Sequence, residues 1–474
     1  MSFSAVCFML LAVVVFVVSA KDIAESDIWW HLQNARHLLA KHSFPSTDTY
    51  SFTAAGSPWI DHEWLSEIPF YLGFRAAGLQ GLLLMYGTML SLTFAGVYYR
   101  CCLAGATAIN AAAATLGAVL LGEVSFGPRM LLFGWLCMVC LLIVLDRFRQ
   151  SRHGLWMLPP LFAFWINLHG SWVFGIAVLV ITIVCGLVGG EWGGIVARRW
   201  TTSELRKLLL TLAASLAALF VNPFGYRLVL YPFDLLLRQK INLQHIDEWQ
   251  PVNFQTGTGK VALLSIFVLL AVALVSQKKW RLDEASLTAF ALWASLMHVR
   301  MLFFLGLIIV PILAPSLRLF PRPDPASDRP RVNALLMMCI AAGLILWFPS
   351  EATLQGKVDS AFPTAALDWM QRQHIEGRIF NNYSFGGYMI WKTPEYKTLI
   401  DGRADLFVHN GTFDQYVQAI NIDKSFEVLD EHKVDYVLLQ PGQPLAYVLQ
   451  RSGWKTLYSD QVAVLLQRPS QGNP

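Results

Sequence analysis

"AVVVFVVSAKDIAESDIWWHLQNARHLL", residues 12–39, passes within a few positions from an unbroken apolar run to a polar stretch holding Asp27, His31 and the adjacent Trp29 and Trp30. The run it closes, 3–20, has the length and composition of a membrane span. Residues 27–41 have the periodicity of an amphipathic helix, with Asp27 and His31 four positions apart and therefore on one face. Asp27 has two readings here. It is the N-cap of that helix, a role Asp fills well, or an ionised carboxylate able to take a proton from a hydroxyl held within hydrogen-bond reach.

The apolar character recurs along the chain. Of its 474 residues, 55% are hydrophobic and only 14% charged, a balance that excludes a water-soluble enzyme of this size and indicates many membrane spans. The net charge of +4 is too small to argue for nucleic acid as a partner. Apolar runs fall at 3–20, 79–99, 105–122, 129–146, 155–169, 171–190, 207–221, 261–276, 284–298, 301–317 and 333–349. The expectation is an α-helical multi-pass membrane protein of about eleven spans. Residues 1–349 form its transmembrane domain, with 21–78 as a large first external loop, and 350–474 form a small C-terminal α/β extracytoplasmic domain.

Basic residues set the orientation. With the N-terminus inside, the cytoplasmic connections hold Arg100; Arg147, Arg149 and Arg152; Arg198, Arg199, Arg206 and Lys207; Lys278, Lys279 and Arg281; and Arg318, Arg322, Arg329 and Arg331. That is where the positive-inside rule places them. Val18-Ser19-Ala20 resembles a signal-peptidase site, but no basic residue precedes the run; either way residue 21 emerges outside. The expected location is a bacterial inner membrane with the C-terminal domain in the periplasm.

In this topology the unusual polar clusters share one face, away from the cytoplasm. They include Asp27 with His31; Asp61, His62 and Glu63; Arg129; Asn167 and His169; Asp247-Glu248-Trp249; and His298 with Arg300. Acids, imidazoles and arginines converging on one membrane surface indicate a site built from many helix ends. Asp61-His62-Glu63 could solvate the interface, contact substrate or join Asp27 around a divalent metal; the third reading is not favoured, and no cofactor is assigned. It is not a zinc-peptidase motif, since Ser66 stands where HExxH needs histidine. Arg129 and Arg300 open spans and are suited to a phosphate through their planar forks, or to snorkelling toward headgroups. His169 and His298 have structural readings as helix-end hydrogen-bond partners. Trp29, Trp30, Trp59 and Trp64 fit the headgroup layer.

In the C-terminal part, "RIFNNYSFGGYMIW", "KTLIDGRADLF", "DYVLLQ" and "VAVLLQ" read as strands, and 412–433 and 443–452 as helices. The Asp401-Gly402-Arg403-Ala404-Asp405 stretch reads first as an Asp–Arg pair at a turn. "GTGKV" at 257–261 is no P-loop, because Phe254 replaces the first glycine and Val261 the Ser/Thr. Cys137 and Cys140 have CxxC spacing inside an apolar run without a βαβ context, so they read as packing residues.

Together "DIWWHL", "PSTDTYSFTAAGSPWIDHEWLSE", "WINLHGSWVFG", "VNPFGYRL", "HVRMLFFLG" and "FNNYSFGGYMIW…LIDGRADLF" make the chain resemble the GT-C class of membrane glycosyltransferases, within it a group of bacterial multi-pass proteins. The resemblance implies an inverting transfer of a sugar from a polyprenyl-phosphate donor to a lipid, glycan or protein acceptor at the outer membrane face. It makes Asp27 the base, as the loop-one acid. His31, Asp61, His62, Glu63, Asn167, His169 and His298 become substrate-side candidates, and Arg129 and Arg300 candidates for the donor phosphate. The chain departs from the class in two places. Ile28 follows Asp27 where protein mannosyltransferases have Asp-Glu, and Trp369, Trp391 and Trp454 stand apart where oligosaccharyltransferases have Trp-Trp-Asp. The alternative reading is a transporter or assembly factor for lipid-linked glycans, without catalysis.

Overall fold

The computed structural model describes residues 2–20, 23–238, 247–275, 278–317, 319–321 and 328–469. Arg318 and Arg322, two of the charges expected on the cytoplasmic side, lie outside them. Each apolar run of the sequence contains a helix. Among the described residues, five are long and apolar enough to cross a membrane: Trp64–Leu103, Ala108–Ser125, Leu131–Ser151, Val299–Ser316 and Pro330–Trp347. Phe3–Ser19, Leu155–Leu168, Trp172–Cys185 and Gly257–Val272 are shorter apolar helices. The chain divides into two compact units.

The first unit comprises Met1–Lys21, Leu83–Pro232 and Leu243–Phe348. Its centre is the Leu302–Leu313 helix, buried on every side, which is why that segment is apolar all round rather than along one stripe. Phe303 stacks on Trp135 with ring centroids 5.2 Å apart, and Phe94 and Phe126 close over the same ring. Small residues let backbones approach here: a Cβ on Gly306 would lie 3.3 Å from the Ala118 backbone. At the periphery the Pro330–Trp347 helix exposes Ile345 and Leu346, the residue choice of a surface that meets lipid.

Several of the basic residues on which the expected orientation rests are paired. Arg100 donates to Asp146 at 2.8 Å and to the Leu307 carbonyl at 2.7 Å. Arg149 bridges Asp146 and Asp283, and Arg152 meets Glu204 at 2.9 Å. Pairing removes much of the cost of burying these guanidinium groups against apolar helices. A three-stranded sheet of Gly190–Trp192, Ile195–Ala197 and Trp280–Arg281 lies in the same unit.

The second unit joins Asp22–Leu82, Phe233–Asn242 and Pro349–Pro474. Its four-stranded sheet runs Ile379–Asn381, Tyr436–Leu439, Val464–Gln467, Lys455–Ser459, with the first pair parallel and the others antiparallel. The strands expected in "DYVLLQ" and "VAVLLQ" are present, whereas "RIFNNYSFGGYMIW" is a strand only over Ile379–Asn381. Asn382 then caps a helix, Tyr383–Lys392, accepting from the Ser384 amide at 3.0 Å. "KTLIDGRADLF" likewise ends in a helix, Ala404–His409.

The first loop is laced into this unit. The Phe52 amide donates to Thr398 O at 3.0 Å and the Thr398 amide to Tyr50 O at 3.2 Å, a short parallel bridge between Ser51 and Thr398. The Ile28–Lys41 helix packs on Tyr383–Lys392. Trp29 stands edge-on to Tyr388 and Phe362, with centroids 5.0 and 5.8 Å away. Trp29, Trp30 and Trp59 are thus buried in protein, not placed in a headgroup layer. Aromatic rings opposite them offer a dry contact that an interface would not. The long helix beginning at Trp64 breaks at Ala77 and Gly78, the latter at φ +57°. There the Glu351 carboxylate accepts the restarting amides of Leu79 and Gln80 at 2.9 and 3.0 Å.

Candidate functional site

Asp27 stands at the N-cap position of the Ile28–Lys41 helix, where its carbonyl accepts the His31 amide at 3.3 Å, but its carboxylate makes no capping hydrogen bond. Its carboxylate instead lies against the turn Asp401-Gly402-Arg403. A Cβ on Gly402 would fall 1.9 Å from Asp27 Oδ1. Ser26 Oγ donates to the same oxygen at 3.3 Å. The half-buried Tyr383 hydroxyl donates to Gly402 O at 3.4 Å, and desolvation followed by the charges of Asp27, Asp401 and Asp405 pushes this phenol well above its ordinary range.

Behind this turn is a closed ion cluster that joins two distant stretches of sequence. Arg403 is fully buried; its Nε and Nη2 reach Asp401 at 2.8 and 2.7 Å, and its Nη1 reaches Asp48 at 2.6 Å. The guanidinium also lies 5.0 Å from the Tyr50 ring centre and 5.1 Å from that of Trp59. Burial pushes the Asp48 carboxyl up, but Arg403, the Ser51 hydroxyl and the Tyr50 amide together hold it below the usual carboxylate value. The Asp–Arg turn of the sequence reading is therefore a triad, with its third member in loop one.

A second polar group surrounds His31. Its Nδ1 lies 2.7 Å from Glu67 Oε1 and its Nε2 3.5 Å from Glu63 Oε2. Asn34 donates to Glu67 at 3.3 Å and receives the Tyr50 hydroxyl at 2.9 Å. His62 stands 3.8 Å from Glu63; burial pulls this imidazole down from its ordinary value, with Asp405 opposing. Asp61, beside Glu67, is 1% exposed. Among the described residues, no N–H or O–H reaches either of its oxygens, or Glu67 Oε2, at full hydrogen-bonding geometry. Burial pushes Asp61 up to about 7, against the opposing effects of Glu67, the Glu63 amide and Arg403. Two carboxylates side by side in a dry setting cannot both ionise cheaply. No group of three or more His, Cys, Asp or Glu side chains among the described residues is arranged to hold a metal ion.

The arginines belong to the first unit. Arg129 pairs with Glu248, and the Arg300 guanidinium lies 4.6 Å over the Trp249 ring. His298 Nδ1 lies 2.7 Å from Trp249 O, and the Val299 amide donates to Gln250 O at 2.9 Å. The 247–250 turn thus gathers Arg129, His298 and Arg300. Burial raises Glu248, but Arg129 and Arg300 outweigh it and hold the carboxyl below its usual value. Asn167 and His169 make helix-end contacts. Asn167 donates to Ala163 O and Val221 O at 2.8 Å each, and His169 Nδ1 accepts the Ser171 amide at 2.9 Å.

The sequence reading did not single out Asp48, Asn34, Tyr50, Glu67, Gly402 or Arg403 as site residues. A helical wheel could have found two of them, since Glu63 and Glu67 are four apart, as Asp27 and His31 are, and Asn34 comes three after His31. The rest come together through loop pairings that carry no local periodicity.

The sequence matches no protein-family model and no curated protein. Solved structures do match. The crystal structure of ArnT from Cupriavidus metallidurans bound to undecaprenyl phosphate superposes with a TM-score of 0.53 at 15% identity, over 99% of both chains. Its apo form gives 0.53 at 16%, over 98% of this chain and 97% of that one. The fold is that of the GT-C membrane glycosyltransferases. An oligosaccharyltransferase from Archaeoglobus fulgidus in the apo form shares it, with a TM-score of 0.52 and 10% identity over 91% of this chain and 69% of the other. At these identities the GT-C likeness concerns fold, and chemistry has to be argued from the residues.

Proposed function

We propose that the chain transfers a sugar from a polyprenyl-phosphate donor to a lipid, glycan or protein acceptor at the periplasmic face of a bacterial inner membrane. Asp27 is the base. It takes the proton of the acceptor hydroxyl as the new C–O bond forms at the anomeric carbon, and the bond from that carbon to the phosphate oxygen breaks with its electron pair leaving on the phosphate. Attack from the face opposite the leaving group inverts the anomeric centre. Arg129 and Arg300 meet the phosphate, where charge accumulates in the transition state. Arg129 exchanges Glu248 for the ligand. His31, Asp61, His62 and Glu63 serve the acceptor side, and His298 helps set the turn behind the arginines.

The observation that carries this reading is a loop-one carboxylate that does not cap its helix and is held against a glycine turn, in a fold shared with a structure bound to undecaprenyl phosphate. Asp27→Asn tests it in the full-length protein in nanodiscs. The variant is expected to retain undecaprenyl phosphate but to lose at least about 100-fold in transfer from radiolabelled polyprenyl-phosphate sugars, the scale of a missing general base. Undiminished transfer removes Asp27 as base. Undecaprenyl phosphate binding without transfer by the wild type favours a carrier of lipid-linked glycans. A reporter fused after residue 350 is expected to show an extracytoplasmic C-terminal segment, and a cytoplasmic signal overturns the proposed face.

A further inference from the structure

We infer that Gly402 is a positioning residue for Asp27: the absence of a side chain at 402 makes the space in which the carboxylate is held. The inference rests on the reading of Asp27 as the base. Three observations carry it.

The first concerns why position 402 is glycine. Glycine is required where φ is positive, and Gly402 is not among the positive-φ residues of the chain, so a left-handed backbone is not the reason for glycine here. What excludes a side chain is space. A Cβ there would lie 1.9 Å from Asp27 Oδ1, 2.7 Å from its carboxyl carbon and 3.0 Å from Trp30 Nε1. No rotamer adjustment around that Cβ relieves a 1.9 Å contact while the carboxylate stays in place.

The second concerns the opposite wall. The Tyr383–Lys392 helix carries adjacent glycines. A Cβ on Gly387 would fall 2.4 Å from Ser26 O, and one on Gly386 would fall 2.3 Å from Ile400 O and 2.7 Å from the Asp401 Cα. The residue before Asp27 and the residues before Gly402 are thus seated on neighbouring positions of one helix.

The third is that the turn cannot give way. Asp401 and Arg403 flank Gly402 and are locked in the buried triad with Asp48, while Tyr383 holds the Gly402 carbonyl. A side chain at 402 therefore displaces Asp27 rather than the turn. The signal in the sequence was the Gly in "IDGRADL", whose partner lies more than 370 positions upstream.

The test is a double-mutant cycle in the full-length protein, read by thermal unfolding. Gly402→Ala is expected to lower Tm, and Asp27→Ala added to it to recover most of the loss, because the group it would strike is gone. Gly442→Ala, at a position with no atom within 4 Å of a new Cβ, is expected to change nothing. Should Gly402→Ala alone fail to accumulate, recovery of folded protein in Asp27→Ala/Gly402→Ala supports the inference. No recovery overturns it. The transfer assay supplies a readout that a purely structural role would not move. Gly402→Ala is expected to lose about 100-fold in kcat, the scale of a 1 Å misplacement, with the acid limb of its pH–rate profile shifted and KM for the donor little changed. A normal rate and pH profile in Gly402→Ala, with Asp27→Asn inactive, sinks the positioning role and leaves the base intact. Full transfer by Asp27→Asn instead sinks the base, while the Tm cycle still decides the contact.

Discussion

Two sets of buried carboxylates lie in the same unit and are built on opposite principles. Asp48 and Asp401 enclose Arg403, each oxygen that faces it receiving a charged N–H at 2.6–2.8 Å. Among the described residues Asp61 and Glu67 have no Lys or Arg between them, and three of their four oxygens lack a well-formed donor. A fully satisfied buried network rigidifies and specifies one arrangement; a half-satisfied one stores a proton-dependent tension. The first set fixes the turn behind Asp27. The second responds to pH.

The largest effect expected from this contrast is on the closed set. Arg403→Ala leaves two buried carboxylates unpaired and is expected to destabilise the unit by about 3–5 kcal/mol, seen as a large fall in Tm or loss of folded protein. A shift no larger than that of a surface substitution would contradict the network.

The open set has the opposite pH signature. Asp61 titrates near 7 when folded, against about 3.8 in its ordinary state, so between those values the folded protein holds a proton that the unfolded chain has lost. Its contribution to stability is present at the acid end and is lost progressively as pH rises from the ordinary carboxylate range through about 7. Asp48, held low by Arg403, works the other way: its contribution is present above the ordinary carboxylate range and is lost as pH falls through the folded value. Asp61→Asn is expected to flatten the fall in Tm between about pH 4 and 7 and to raise Tm at about pH 8. An unchanged pH dependence would mean that this carboxyl is not the group responding.

The smallest effect belongs to a carboxylate in neither set. Glu351→Gln removes the anion that accepts Leu79 and Gln80 at the helix restart and is expected to lower stability by about 1 kcal/mol, with transfer retained. A fall as large as that of Arg403→Ala would give Glu351 a structural weight that two amide contacts do not account for.

How much of this could be read along the chain depends on the range of the forces involved. The apolar runs were legible one by one, because a span announces itself in about twenty consecutive residues; each run holds a helix, and among the described residues five of the helices are long and apolar enough to cross a membrane. Asp27, His31, Asp61, His62 and Glu63 were legible as unusual polar residues at the edge of an apolar segment. The tryptophans misled for the same reason: Trp29 and Trp30 look interfacial beside a span, and Trp29 owes its burial to Phe362 and Tyr388, more than 300 positions away. "RIFNNYSFGGYMIW" misled as a strand because aromatic and β-branched composition does not show where a helix cap falls, and Asn382 caps one.

From composition and pattern alone came a multi-span helical protein with a polar, acid-bearing first loop, since hydrophobic burial and helical periodicity are local quantities. Folding added what no window of sequence contains. It joined the first loop to the C-terminal segment, turned an Asp–Arg pair into a triad with Asp48, and set Asp27 against Gly402. Those contacts depend on side chains hundreds of residues apart meeting with the right shape and charge, a property of the packed chain that periodicity does not encode.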